Sequence, residues 1–229
     1  MGAGVVAVLV TVWSVKGGSG VSVVSAALAV VLARRRGRAL VVDLVGDQPA
    51  VLGLPEPSGP GLREWLATPD GSVDALGRLT LDVSPSLGLL PAGTVPDWPD
   101  ARAADLVRAL TPGTPGGPGA NAAAVVVDGG VAGRDPLTDA FARAGVSLLV
   151  TRPCYLSLRR AVRHPVPADG VVLVADAGRA LDRRDVEQVL GLPVLCTVQV
   201  DPVVSRAVDA GVLVTRLPRV LERSLRAVA

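Results

Sequence analysis

The sequence is poor in aromatic residues, has one lysine, and is nearly empty of cysteine, histidine and methionine. Phe, Trp and Tyr make up 2% of its 229 residues, too few for a platform on which bases stack. Cys154 and Cys196 are the only cysteines, far apart and outside any CxxC spacing. Neither a disulfide framework nor a zinc site is therefore implied, and a reduced, cytoplasmic compartment fits. The one histidine, His164, precedes Pro165 and has no Ser or Cys at a catalytic spacing, so it reads as a loop residue. A net charge of +2 lends little support to non-specific DNA as a partner. Uninterrupted apolar length is also lacking. The stretch 5–33 is broken by Lys16 and its neighbouring glycines and serines, leaving halves too short to span a membrane. Residues 1–15 carry no basic start and no small-residue cleavage site, so they are not read as a signal segment.

Hydrophobic residues make up 49% of the chain, mostly Val, Ala and Leu in short runs between breakers. Such runs suit strands buried on both faces of a parallel sheet. Strands are expected at 5–13, 38–44, 87–90, 123–127, 146–150, 171–175 and 193–198. Helices are expected at 21–33, 62–67, 73–77, 101–110, 137–144, 155–163, 183–190, 202–210 and 218–228. Residues 46–61 and 111–120, rich in Pro and Gly, read as loops, the second as a surface loop within one domain spanning 1–229. The alternation predicts a three-layer α/β fold with a mostly parallel sheet. Arg34, Arg35 and Arg36 before Gly37 read as a helix stop rather than a nucleic-acid patch. Trp13, Trp65 and Trp98 read as packing residues.

The chemistry concentrates where the first strand meets the first helix, at Ser14-Val15-Lys16-Gly17-Gly18-Ser19-Gly20-Val21-Ser22. Glycines let a backbone wrap closely around an anion, and amides at a helix start point at it. The sole lysine sits here, where a compact ammonium suits a phosphate better than a broad guanidinium does. Ser22 is placed to put a hydroxyl on Mg²⁺. Asp128, ending an apolar strand, is placed as the metal-side carboxylate. Asp43 ends the second strand. Capping of strand-end loops is the alternative for both aspartates, and their paired placement around the glycine loop favours the site reading. A dinucleotide fingerprint is excluded, because Val23 stands where its third glycine belongs.

These residues resemble the ParA/MinD family of deviant Walker A P-loop ATPases, which includes the CpaE/TadZ proteins. The family loop K-G-G-x-G-K-[ST] is matched by Lys16 to Ser22 except at Val21. Residues 38–44 resemble its second strand and 124–128 its Walker B strand. Residues 148–153 with Ser157-Leu158-Arg159-Arg160 resemble its VTxP…SLRDA segment. Residues 191–195 with Asp201-Pro202 resemble its closing motif. The resemblance implies a P-loop NTPase fold, ATP and Mg²⁺ as cofactors, and a homodimer acting in positioning or partitioning with a protein partner of a positioning or secretion system. It places Lys16 on the partner subunit's phosphates, Gly17, Gly18, Ser19, Gly20, Val21 and Ser22 around its own, and Arg152 and Pro153 beside the base or at a chain turn. Asp43 falls on the first carboxylate of the family's D-x-D, and is a candidate for the catalytic side of the site together with Lys16.

Four departures are equally plain. Val15 replaces the glycine usual before Lys16, Val21 replaces the second loop lysine, Val45 replaces the water-orienting carboxylate, and Ala175 and Asp176 stand where an adenine-side Asn belongs. Asp47 would replace the missing carboxylate only through a shifted loop, and the expectation does not rest on it. The expectation is therefore weak or absent ATP hydrolysis, with a non-binding scaffold and a rewired ATPase as the alternatives. The last segment, 217–229, divides its apolar and Arg residues between two sides. It fits either docking on the sheet or binding an anionic membrane, at the inner membrane face, and docking is the reading its short length favours.

Overall fold

The computed structural model describes residues 7–95, 102–133 and 135–229. Trp98 and the start of the helix expected from Ala101 lie outside them, as do the first residues of the strand expected from Val5.

Among the described residues, eight strands form one sheet. They are β1 (Val8–Ser14), β2 (Ala39–Asp43), β3 (Leu81–Ser84), β4 (Leu87–Leu90), β5 (Ala124–Val131), β6 (Val146–Thr151), β7 (Gly170–Ala175) and β8 (Val194–Gln199), in the spatial order β3-β4-β2-β5-β1-β6-β7-β8. All neighbours are parallel except β3 and β4. The central strands are Val-rich and buried on both faces, as sheets covered by helices require.

One face is filled by α1 (Val21–Arg36), which is buried around most of its circumference. Against the same face pack α2 (Gln48–Leu52), α9 (Pro202–Asp209) and α10 (Arg219–Leu225). The other face carries α3 (Leu62–Ala67), α4 (Val73–Arg78), α5 (Ala103–Leu110), α6 (Pro136–Ala144), α7 (Tyr155–Ala161) and α8 (Arg183–Leu190). The three-layer mostly parallel α/β reading therefore holds.

The arginine run ends α1 as a stop signal should. Gly37 takes φ 110° and donates its N–H to Ala33 O. Trp13 and Trp65 are buried, with Nε1 donating to Ser147 Oγ and to Ser72 O, both at 2.8 Å. Arg102 lies over the Trp65 ring, 3.7 Å from its centroid.

Two elements depart from the sequence expectation. Residues 46–61 are not all loop: Gln48–Leu52 is helical, started by Pro49 in its first turn and ended by Gly53 at φ 74°. Gly53 also touches Gly211 so closely that a Cβ would lie 2.1 Å from Gly211 O, which ties α2 to the end of α9. β3 was not foreseen because the alternation Leu81-Asp82-Val83-Ser84 is only four residues long and its apolar members are not buried. It is held as an antiparallel edge strand by β4 alone.

Residues 111–120 contain no helix or strand and run as successive turns, with Gly117 and Gly119 buried against Ala109 O and Leu110 O at the end of α5. The C-terminal helix α10 docks. Leu221 and Leu225 are buried against α1 and β8, and Arg35 Nη1 donates to Arg226 O (2.9 Å) and Ala229 O (3.1 Å). The apolar side that a membrane would need is thus used inside the fold. Among the described residues no helix is long and apolar enough to cross a membrane.

Candidate nucleotide site

The sheet order puts the carboxyl ends of β2, β5 and β1 side by side, where open α/β sheets bind ligands. Asp43 and Asp128 are register partners on β2 and β5. Next to them the chain leaves β1 into the glycine loop. Ser14 Oγ donates to Lys16 O (2.6 Å) and accepts from Lys16 N (3.0 Å), and Ser19 Oγ donates to Lys16 O (2.8 Å). Two buried hydroxyls therefore fix the loop from inside.

Outside, the loop is open. A Cβ on Gly17 or Gly18 would meet nothing within 4 Å, while Gly18 (φ 73°) and Gly20 (φ 94°) take the left-handed backbone that favours glycine. Gly20 starts α1 without a side-chain cap, and the first turn has no acidic residue. The amides of a long helix are left for an external anion. Lys16 is half-exposed, with Nζ only 3.4 Å from Gly17 O as its local partner.

A cavity of about 660 Å³ opens on this loop. Val45, Asp47, Arg63, Gly130 and Asp135 line it opposite Lys16 and Ser22. Val21 also lines it, although only 7% exposed. Val45 lies against Gly130, where an added Cβ would come within 2.5 Å of Val45 Cγ2. Position 45 thus presents a branched alkyl group to the cavity.

Asp43 is wholly buried and acts on its own loop. Oδ1 accepts from Val45 N (2.9 Å) and Gly46 N (2.8 Å), and Oδ2 from Gln48 N (3.0 Å). These bonds are those of the loop-capping alternative. Burial raises the Asp43 pKa despite the three N–H groups.

Asp128 is the metal-side candidate. Oδ1 accepts from Gly130 N (3.2 Å) and Oδ2 from Gln48 Nε2 (2.7 Å), and the Ser22 hydroxyl lies beside the carboxylate. Burial pushes its pKa up to about 6, with the nearby Asp43 charge adding to the rise. The sign follows directly. Between the ordinary range near pH 4 and about pH 6 the folded protein keeps a proton that the unfolded chain has released, so this contribution to stability, about 3 kcal/mol, is lost as pH rises through that window. Glu64, held down to about 2 by bonds from Gly61 N and Thr94 against the cost of burial, works in the opposite sense at lower pH. Denaturant titrations from about pH 4 to pH 7 should show a falling contribution in the parent that Asp128→Asn flattens. Identical pH slopes for the two proteins would refute the assignment.

Two members of the site were not foreseen. Gln48 is fully buried, and its Nε2 bridges Asp128 Oδ2 and Ser22 O (3.0 Å). Its Oε1 is a buried acceptor without a partner among the described residues. Arg63 reaches the cavity from α3, donating through Nη2 to Leu44 O (3.1 Å). Arg152 and Pro153, at the end of β6, are not among the residues lining this cavity. Arg152 pairs with Asp176 (3.2 Å), which also binds Arg179 (2.8 Å). Position 176 is thus an acidic hub between two arginines.

The residues present fit a nucleotide phosphate and a hard divalent cation. The glycine cradle is open, Ser22 and Asp128 are a neighbouring hydroxyl and carboxylate, and Gln48 Oε1 is an oxygen seeking a partner. Comparison with known structures agrees on architecture. A ParA family ATPase from Chlorobium tepidum superposes with a TM-score of 0.77 at 20% identity, covering 98% of this chain and 99% of that one. The fold is that of the ParA and MinD ATPases. MinD of Pyrococcus horikoshii, complexed with Mg-ADP, gives a TM-score of 0.74 at 20% identity, over 96% of this chain and 93% of that one. A chain of the MinC:MinD cell division protein complex of Aquifex aeolicus gives 0.74 at 18% identity, over 97% of this chain and 95% of that one. No family sequence model matches the chain, and no curated protein sequence does.

Proposed function

We propose that this chain is a single-domain, ParA/MinD-like nucleotide-binding protein. It acts in cellular positioning or partitioning by ATP-dependent dimerisation and partner binding, and hydrolyses ATP weakly or not at all. The observation that carries the proposal is an open glycine cradle with a half-exposed Lys16 whose two neighbouring chemical posts, positions 21 and 45, are valines. The Mg-ADP and MinC complexes of structural neighbours support nucleotide and partner as the two ligands.

In this reading the loop amides from Gly17 to Ser22 hold the phosphates, and Lys16 serves the nucleotide across a dimer. Ser22 and Asp128 hold Mg²⁺, with Gln48 orienting them. The cation, when bound, neutralises charge between the phosphates. Arg63 adds positive charge from the opposite wall. Missing stabilisation of developing charge commonly costs about a hundredfold or more in rate, and Val45 offers no group to orient water. Asp47 and Arg63 on the cavity wall are the observation that favours the second reading, an ATPase with a rewired site.

Calorimetry and steady-state turnover separate the readings. Mg-ATP is expected to bind, with turnover about a hundredfold or more below that of an intact ParA-type site. Full turnover that is abolished by Lys16→Ala would establish the rewired ATPase. An absence of heat at millimolar ATP would establish the non-binding scaffold.

A further inference from the structure

We propose that the outer face of α7 and the adjoining α7–α8 crevice form a docking site for an acidic protein segment with an apolar anchor residue. Two features meet there. The first is a cationic pocket of about 410 Å³, lined by Val15, Leu156, Arg159, Arg160, Arg163 and His164. Arg159 and Arg160 stand in the last turn of α7, and Arg163 follows in a turn whose N–H bonds Arg160 O. Among the described residues, none of these three guanidinium groups has a hydrogen bond or an ion pair, whereas eight other arginines are ion-paired. Part of their role is to complement the carbonyl end of the helix. That role does not require all three to line one concavity with an apolar floor.

The second feature is a crevice of about 240 Å³ between α7 and α8. Leu149 and Val166 lie buried in its lining, and the exposed Val162 and Val189 rim it. His164 lines both cavities. Its Nδ1 accepts from Val166 N (3.3 Å) and its ring packs on Trp13 with centroids 5.5 Å apart. The imidazole is a fixed partition between a charged compartment and an apolar one.

The occupant follows from that chemistry. The crevice has room for an aliphatic or aromatic side chain, and planar guanidinium forks pair with carboxylates in two-point contacts. Arginine beside buried apolar pockets is also the composition of interface hot spots. A bilayer is excluded as the preferred occupant by shape, because its surface cannot enter two concavities separated by a ring. The proposal gives a chemical class to the partner in the positioning reading and depends on that reading only for the partner's purpose.

The test uses the full chain without nucleotide, so that its failure and failure of ATP binding are separate results. The probe is a short fluorescein-labelled peptide rich in Glu with two leucines a helical turn apart. Its anisotropy should rise at low salt. Combined replacement of Arg159, Arg160 and Arg163 by Ala, all exposed, should weaken binding about tenfold or more. A peptide with both leucines changed to alanine should also bind more weakly, and Val189→Asp should weaken the parent peptide with the arginines intact. Amide shifts in labelled protein should map to residues 156–164 and 189–192. No binding, or binding unaffected by the arginine and Val189 changes, overturns the proposal. So does an arginine-dependent pelleting with phosphatidylglycerol vesicles by a protein that ignores the peptide.

Discussion

Val21→Lys is expected to tighten Mg-ATP binding by about tenfold to about a hundredfold, the equivalent of one charge-assisted contact. Position 21 lines the phosphate cavity at the start of α1, so an ammonium placed there faces the same space as Lys16. Val21 also packs in the core cluster beneath α1. The alkyl stem of lysine can keep much of that contact while its head reaches the cavity. The expected cost in stability is therefore modest, about 1 kcal/mol. Calorimetry on the two proteins decides the matter. Unchanged affinity in a folded variant would show that the valine is not what limits phosphate binding. Adding Val45→Asp to the lysine variant then asks whether turnover needs the second post as well.

Asp43→Ala is expected to cost about 3 kcal/mol. The carboxylate is fully buried and accepts three backbone N–H groups, from Val45, Gly46 and Gln48. Alanine leaves those donors facing a cavity instead of an acceptor. In a chain of 229 residues that corresponds to a fall in Tm of about 6–12 °C. Asp43→Asn, which keeps one acceptor oxygen, should fall between the parent and the alanine variant. A loss below about 1 kcal/mol would mean that Gln48 and its helix are held mainly by other contacts, Gly53 against Gly211 among them. The same substitution should loosen Gln48 from Asp128, so its effect on Mg²⁺ affinity will exceed what the distance from the cradle suggests.

What could be read from the sequence was whatever rests on local physics. Strand, glycine loop and helix at 8–36 are encoded by an apolar run, by backbone freedom at Gly18 and Gly20, and by a closing Gly37. The placement of Asp43 and Asp128 followed from apolar runs closed by a carboxylate; β2 does end at Asp43, β5 runs on past Asp128 to Val131, and the two aspartates are register partners. Gln48 was invisible because nothing nearby in sequence marks it. Its partners are Ser22 O and Asp128, 26 and 80 residues away. Helix α2 was hidden for the same reason: a carboxylate on β2 holds its first turn, and Pro and Gly around it read as loop. Arg63 looked like one surface arginine among many until α3 turned it toward the cavity. Arg152 could be placed at the end of β6, but its pairing with Asp176, at the carboxyl end of the neighbouring strand β7, required the sheet order.

The solitary lysine makes the phosphate loop chemically addressable. Lys16 is the one side-chain amine among these 229 residues and it is half-exposed. An amine-directed dye or crosslinker therefore writes a single mark on the chain's side chains, at the cradle itself. A lysine-specific protease likewise has one bond to cut, between Lys16 and Gly17. The arginine-rich surface that surrounds the rest of the molecule is silent to both reagents, so the loop can be followed against a blank background.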